Sequence, residues 1–340
     1  MLRDFASWYA NSTVRAARPL RVLGAALLIS GLGALGVAPA CSADPNASDS
    51  PSSGGDDDDA TGGDDNPELE DLPDSGQTYG NPENIGTEEL CDGQDENGNG
   101  IIDDVDVGRD GICDCLRVAI LGSLTSTADD TNVTAFSSWL ESRSTELVGV
   151  IPTGTPLTPD VLNPYKVIIV ANITGAVISP DDVYNLSQWV GAGGGLMTLA
   201  GFTVNSADMN GTNTLLQPYG ISYQLTGDAG IMGGGEPSTP VTGFLPHPIT
   251  TEVNKVGVYY AYPVLGDGDV VAQQGGYVLG MAKQVYNGKL FAWADEWIMF
   301  SNQWNGSQCT DCQVERLWIN IFSFLMPANE CQVPPPPIVE

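Results

Sequence analysis

The chain has 340 residues and a formal net charge of −31, from 43 Asp and Glu against 12 Lys and Arg. That length accommodates one large domain or two. Such an acidic surplus supplies no basic footprint for phosphate, so nucleic acid is excluded as a partner and cations are the natural counterparts.

Four of the basic residues (Arg3, Arg15, Arg18, Arg21) lie ahead of an apolar run, VLGAALLISGLGALGVA, from Val22 to Ala38, which is followed by APAC ending at Cys41. A basic region, an apolar region and small residues before a cleavage point form the pattern of a secretory signal. The cysteine after the small residues resembles a bacterial lipobox, in which the signal is cleaved before the cysteine and the cysteine is acylated; Pro39 departs from the usual form. The resemblance implies a signal peptide over 1–40 and a lipid anchor on Cys41, at the outer membrane or cell surface. An uncleaved anchor and plain secretion are the alternatives, and all three place the mature chain outside the cytoplasm. Residues 41–87 follow as a Ser, Gly, Pro, Asn and Asp stretch with no Lys or Arg from Asp44 to Glu89. With few apolar residues and one charge sign, this segment cannot offset its ordering entropy and is expected to be a disordered, extended tether.

Residues 88–115 carry the stretch CDGQDENGNGIIDD. With Asp95 as position 1 of a calcium loop, Asn97 is position 3, Asn99 position 5 and Gly100 the sharp turn at position 6. Ile101 offers its carbonyl at 7, Ile102 is the apolar position 8, Asp103 is 9 and Asp106 is 12. Only the last departs, Asp standing where Glu is usual. The shorter acid lowers calcium affinity or tilts preference towards Mg2+, with a dissociation constant expected in the weak extracellular range of about 10⁻⁴ to 10⁻³ M. The flanks are not those of a helix–loop–helix hand: TEEL allows only a short helix and DVGRDGICDC has no helical pattern. ELCDGQDENGNGIIDD also resembles the MopE-type metal-binding repeats of secreted bacterial proteins. The plain alternative is a polar, turn-rich loop without an ion.

Setting Cys41 aside leaves Cys91, Cys113, Cys115, Cys309, Cys312 and Cys331, an even set suited to disulfides in an oxidising compartment. Six cysteines allow about 15 pairings. Cys91 with Cys113 or Cys115 would close the acidic loop; Cys309 and Cys312 would pair locally or reach Cys331. A zinc site from the two close pairs competes and is disfavoured, because exported thiols oxidise.

From Leu116 the texture is that of alternating strands and helices. LRVAILG, ELVGVIP, YKVIIVAN and GLMTLAG read as strands, YKVIIVAN being apolar throughout and so central. VTAFSSWLESR has helical spacing with Val133, Phe136, Trp139 and Leu140 on one face. SPDDVYNLSQWVGAG starts at Ser179-Pro180 with acids in its first turn, and its glycines read as a helix stop, since a phosphate loop follows a strand and opens a helix. NTLLQPYGI is a short helix into a turn. VGVYYAYPV, DVVAQQ, YVLGMAKQVYNG and KLFAWADEW read as strands, some antiparallel, and VERLWINIFSFL as the final helix, before a proline-rich tail over 329–340. The pattern predicts an α/β fold, a mostly parallel sheet with helices on both faces, over 116–328.

The order of these elements, with LxxYKVIIV, GGGLMTLAG, HPIT, NGKLFAWADEW and RLWINIFSFL, resembles the class I glutamine amidotransferase-like (flavodoxin-like) superfamily. The resemblance covers most of Leu116 to Pro327. It implies a cysteine nucleophile on a turn after a strand and a histidine base. The matching strand end, TLAGFTV, holds no cysteine, and the single histidine, His247, sits between prolines. Amidotransfer is therefore not expected, and no G-x-S-x-G elbow replaces it. Ligands of open α/β sheets sit at the carboxyl ends of strands, so Ser123, Asn172, Thr203, Asp295 and Glu296, with His247, are the candidate crevice. Trp293, Trp297, Trp304 and Trp318 read as core and loop packing, with a carbohydrate or partner surface as the alternative. The composite expectation is a lipid-anchored calcium-binding protein whose non-catalytic α/β domain binds an envelope protein or glycan. The alternative is a hydrolase using His247 with Asp295 or Glu296.

Overall fold

A computed structural model describes residues 89–123, 134–143, 146–200, 209–224, 239–259, 261–307 and 309–336, all within the compact unit Pro73–Glu340. The expected signal peptide, Cys41 and the whole of the tether lie outside the described residues, as does Val133. No helix among the described residues is long and apolar enough to cross a membrane.

In chain order the elements are β1 (Arg117–Gly122), α1 (Thr134–Ser142), β2 (Glu146–Ile151), α2 (Pro159–Leu162), β3 (Val167–Ala171), α3 (Pro180–Gly191) and β4 (Gly195–Leu199). Next come α4 (Asn210–Leu216), β5 (Ile221–Tyr223), β6 (Thr239–Val241), β7 (Val256–Val258), β8 (Val264–Gly266), β9 (Asp269–Gln274), β10 (Tyr277–Val285) and β11 (Gly288–Trp293). Two helices, α5 (Ser301–Trp304) and α6 (Val314–Leu325), end the list, with 3₁₀ turns at Gln217–Tyr219, Pro248–Thr250 and Glu296–Met299.

The main sheet runs β2-β1-β3-β4-β11-β10-β9. Its first five strands pair in parallel, with Val118 beside Val167, Val167 beside Gly195 and Gly195 beside Lys289; β10 and β9 add on antiparallel. Five parallel strands in the order 2-1-3-4-5 are the doubly wound, flavodoxin-like arrangement. β3 and β4 are buried at every position, as strands covered on both faces must be, and this is why their sequences are apolar runs without alternation. Right-handed crossovers put α1 on one face and α2 and α3 on the other. The helix contacts follow suit: α1, α5 and α6 touch in series, and so do α2, α3 and α4.

The helix signals have the expected local causes. Ser179 caps α3, accepting from the Asp182 N–H while the Asp182 carboxylate accepts back from the Ser179 N–H, with Pro180 at the first position. On α1, Phe136 and Leu140 are buried and Trp139 is half-buried. Phe136 packs on Trp318 of α6 with ring centroids 4.5 Å apart.

The described parts of the segments expected apart from the α/β domain, residues 89–115 and 329–336, are stitched into it. Ile112, Cys113, Cys115 and Leu116 belong to the same buried core as the sheet. Cys113 is bonded to Cys331 and Cys91 to Cys115. Ile102 forms a parallel bridge with Glu330, and a Cβ on Gly111 would lie 2.2 Å from Pro336 Cδ, so the tail lies directly on the loop segment.

Candidate functional site

The loop closes around Asp95. Its Oδ1 accepts from the N–H groups of Gly98 (2.6 Å) and Asn99 (3.1 Å), and its Oδ2 from that of Gly100 (2.8 Å). Asn97 and Asn99 each turn their side-chain oxygen onto the N–H two residues on, at 2.9 and 2.7 Å, the Asx turns that such residues make in tight loops. Gly100 has φ +88°, which a side chain would strain, so the sharp turn expected at this position is present and needs its glycine.

The acid that faces these amides is not the expected one. Asp104 Oδ2 accepts from Asn99 Nδ2 at 2.8 Å, and its Oδ1 lies 3.4 Å from Asn97 Nδ2. Asp106 instead spends both oxygens on the N–H groups of Asp110 (2.9 Å) and Gly111 (3.1 Å), forming the next turn. Asp103 is buried, takes the Gly93 N–H at 2.8 Å and has φ 55°. No group of three or more His, Cys, Asp or Glu side chains among the described residues is gathered as around a metal ion. The donor chemistry suits a hard cation, being carboxylates, amide oxygens and a carbonyl. The oxygens of Asp95, Asn97 and Asn99 accept backbone N–H groups, and Asp106, at position 12, is taken up by the next turn.

The charge around the loop is poorly compensated. Burial raises the Glu89 carboxyl above its usual range; the Asn97 N–H opposes this, while Asp104, Glu96 and Asp95 add to it. Burial likewise raises Asp110; the Ile112 N–H and Arg143 oppose the rise and Asp106 and Asp114 reinforce it. In both cases burial is the main cause and the neighbouring acids add to it.

At the carboxyl ends of the strands the expected crevice is assembled in part. Ser123 and Asn172 follow β1 and β3, the switch point of a 2-1-3-4-5 sheet. Asn172, at φ 50°, donates from Nδ2 to Glu296 Oε2 at 2.5 Å and to the Ser123 carbonyl at 3.3 Å. Asp295 and Glu296 are both buried. Asp295 caps the 3₁₀ turn through the Trp297 N–H and accepts from the Tyr259 N–H at 2.5 Å. Thr203 lies outside the described residues.

His247 does not join them. Its Nδ1 accepts from the Ile249 N–H at 3.2 Å, capping the turn Pro248–Thr250, and its ring meets Phe324 edge-on at 5.0 Å. Lys289, the second residue of β11, holds its ammonium 5.1 Å from the same Phe324 ring. Asp295 lies beyond the other end of β11, roughly 20 Å further along an extended chain. The pairing of His247 with Asp295 or Glu296 imagined from the sequence is therefore overturned by strand direction.

Two of the four late tryptophans, Trp293 and Trp318, are fully buried core residues, and Trp304 and Trp318 both donate their indole N–H to the Ile298 carbonyl. Half-buried Trp297 stacks between Tyr259 and Phe300. Asp104, which the loop spacing does not select, is the acid that meets the Asn97 and Asn99 side-chain amides.

No protein-family model and no curated protein matches the chain. Solved structures similar to it include a cytoplasmic protein of Salmonella typhimurium, at 17% identity and a TM-score of 0.47, covering 62% of this chain and 100% of that one. The mmIFT52 N-terminal domain is similar at 13% identity and a TM-score of 0.47, covering 60% and 97%. A ThuA-like protein from Bacteroides uniformis is similar at 13% and 0.40, covering 62% and 90%. These likenesses assign neither a family nor an activity.

Proposed function

We propose that this is an exported, lipid-anchored calcium-binding protein whose α/β domain binds or scaffolds at the cell envelope rather than catalyses. The observation that carries the reading is the loop wound on Asp95, which draws three consecutive amides to one carboxylate in a segment dense in acids. Asp95, Asn97, Asn99, Ile101 and Asp103 would hold the ion, with Asp104 or Asp106 as the closing acid; when bound, the cation supplies charge neutralisation and cross-links the loop. Each carboxylate oxygen of Asp95 has the capacity to accept more than one bond, so the N–H groups on it and a cation are not mutually exclusive.

The non-catalytic reading of the amidotransferase-like domain is supported by the cysteines. All six outside the N-terminal segment are paired in disulfides, so none is available as the nucleophile that resemblance would require. Export is supported by the same three bridges, which persist in oxidising compartments, and by the basic–apolar–APAC order ahead of Cys41.

Calorimetric titration of the oxidised protein with CaCl₂ tests the loop. Saturable binding with a dissociation constant of about 10⁻⁴ to 10⁻³ M, lost in Asp95→Ala, is expected. Absence of heat in the wild-type protein, with folding intact by circular dichroism, would overturn the calcium reading. The anchor is tested separately by labelled fatty-acid incorporation, expected in the wild type and absent in Cys41→Ala.

A further inference from the structure

The three disulfides differ in what they join. Cys91–Cys115 and Cys113–Cys331 span 24 and 218 residues and tie the acidic loop to itself and to the tail. Cys309–Cys312 spans three and connects nothing that the chain does not already hold together. Its surroundings are those of a reactive pair. Cys309 is buried at 5% exposure while Cys312 is half-buried, so one sulfur is open to attack and the other is sheltered. Asp311 between them has φ 57°, a left-handed conformation that a non-glycine residue adopts at a cost.

The charges facing the pair favour a thiolate. α6 begins two residues after Cys312, and its first turn has no side-chain cap, because the Gln313 side chain is used instead on the N–H groups of Asn254 and Lys255. Its open N–H groups therefore lie next to Cys312 in the chain. The Lys255 ammonium is bound to the Thr310 carbonyl at 2.6 Å, between the two cysteines. Of the other charges close by in sequence, Arg316 is paired with Glu252 and Glu315 with Arg143, which leaves the Asp311 carboxylate as the opposing charge. Cysteines in a C-x-x-C pair at a helix start, beside an ammonium, are the ones whose thiolates form readily.

We propose that Cys309 and Cys312 form a thiol–disulfide exchange site that takes two electrons from a protein dithiol. A thiolate of the incoming dithiol attacks Cys312 Sγ; the bond to Cys309 breaks, and Cys309 leaves with the electron pair and takes a proton from solvent. The partner's second thiol then attacks the partner's own sulfur in the mixed disulfide, releasing Cys312 as a thiolate that is protonated in turn. The partner ends with a disulfide and this chain with two thiols, so two electrons and two protons have moved. The chemistry is independent of calcium and of the lipid anchor.

The experiment treats the oxidised protein with limiting dithiothreitol, traps free thiols with N-ethylmaleimide and reads each cysteine by peptide mass. Cys309 and Cys312 are expected to be labelled at least about tenfold faster than the other four, with circular dichroism unchanged. Equal labelling of all six, or later labelling of this pair, would overturn the proposal. A second arm mixes Cys309→Ser with a one-cysteine peptide supplied as its intermolecular disulfide dimer at neutral pH. A mixed disulfide on Cys312 is expected, since the resolving sulfur is gone; a folded variant that forms none would also overturn it. If the variant does not fold, the wild-type labelling order decides alone.

Discussion

Replacing Cys113 and Cys331 together by Ala removes the bridge that closes 218 residues. A cross-link stabilises chiefly by limiting the unfolded chain, with an entropy that grows as the logarithm of the loop. For a separation of 218 that is about 5 kcal/mol at 25 °C; for the 24 of Cys91–Cys115 about 3.4; and for the three of Cys309–Cys312 about 1.6. Alanine keeps both buried positions apolar, so no unpaired hydroxyl confuses the comparison. The folded contacts between loop and tail remain available: Ile102 N–H to the Asn329 carbonyl at 2.9 Å, Cys331 N–H to the Ile102 carbonyl at 2.8 Å, and the Lys166–Glu330 ion pair. The far-ultraviolet spectrum should therefore be unchanged while the urea midpoint falls by roughly 2 M, taking a slope of about 3 kcal/mol per M. The assay is urea unfolding of three double variants, one per bridge, followed by circular dichroism. A loss below about 1 kcal/mol for Cys113–Cys331, or a reversed ranking of the bridges, would refute the chain-entropy reasoning.

If the loop binds calcium, Asp104→Asn should weaken binding at least about tenfold and Asp106→Asn much less, because Asp104 faces the amides while Asp106 holds the next turn; calorimetry separates the two, and the opposite order would restore the spacing rule. Asn172→Ala removes a hydrogen bond to a buried carboxylate and leaves Ala in a left-handed conformation, which together cost about 2–4 kcal/mol. Asn172→Gly should be the milder change by about 1 kcal/mol, and equal urea midpoints would refute the backbone part. Burial lowers the pKa of His247; Asp269 opposes this and Lys289 adds to it, so the folded state binds this proton less readily than the unfolded chain does. The unfolded chain takes up its proton as pH falls through about 6.5 and the folded chain only at lower pH, so stability is lost over that interval. His247→Asn keeps a capping side chain and should lose less stability than the wild type between pH 7.5 and pH 5; parallel losses in both would count against a neutral buried imidazole.

The local features were legible because their causes are local. Ser179, Pro180 and Asp182 lie within four positions and cap α3 whatever surrounds them. The apolar runs of β3 and β4 announce strands covered on both faces, and with the helices between them they imply the parallel order found. At the loop, glycine and Asx positions predicted the turns around Asp95 because those depend on φ preferences and on bonds between residues two to five apart.

What sequence spacing alone did not settle was every choice between near-equivalent residues. Asp103, Asp104 and Asp106 are chemically alike; which one faces the amides depends on where the Asp110–Gly111 turn and the tail at Pro336 hold the backbone. The six cysteines are alike too, and Cys113 meets Cys331 only because the tail, emerging from α6, runs beside Ile102. Asp295 reads as a strand-end residue and His247 as a proline-flanked loop residue that could join the same crevice, and only the direction of β11 and the packing of His247 on Phe324 put them at opposite ends of the sheet. The sequence by itself determined the elements, the acidic character and the tight turn at Gly100, because short-range sterics and charge suffice for those. Tertiary structure decided which acid, which cysteine and which crevice, because those depend on contacts between residues tens to hundreds of positions apart, and neither periodicity nor spacing encodes that geometry.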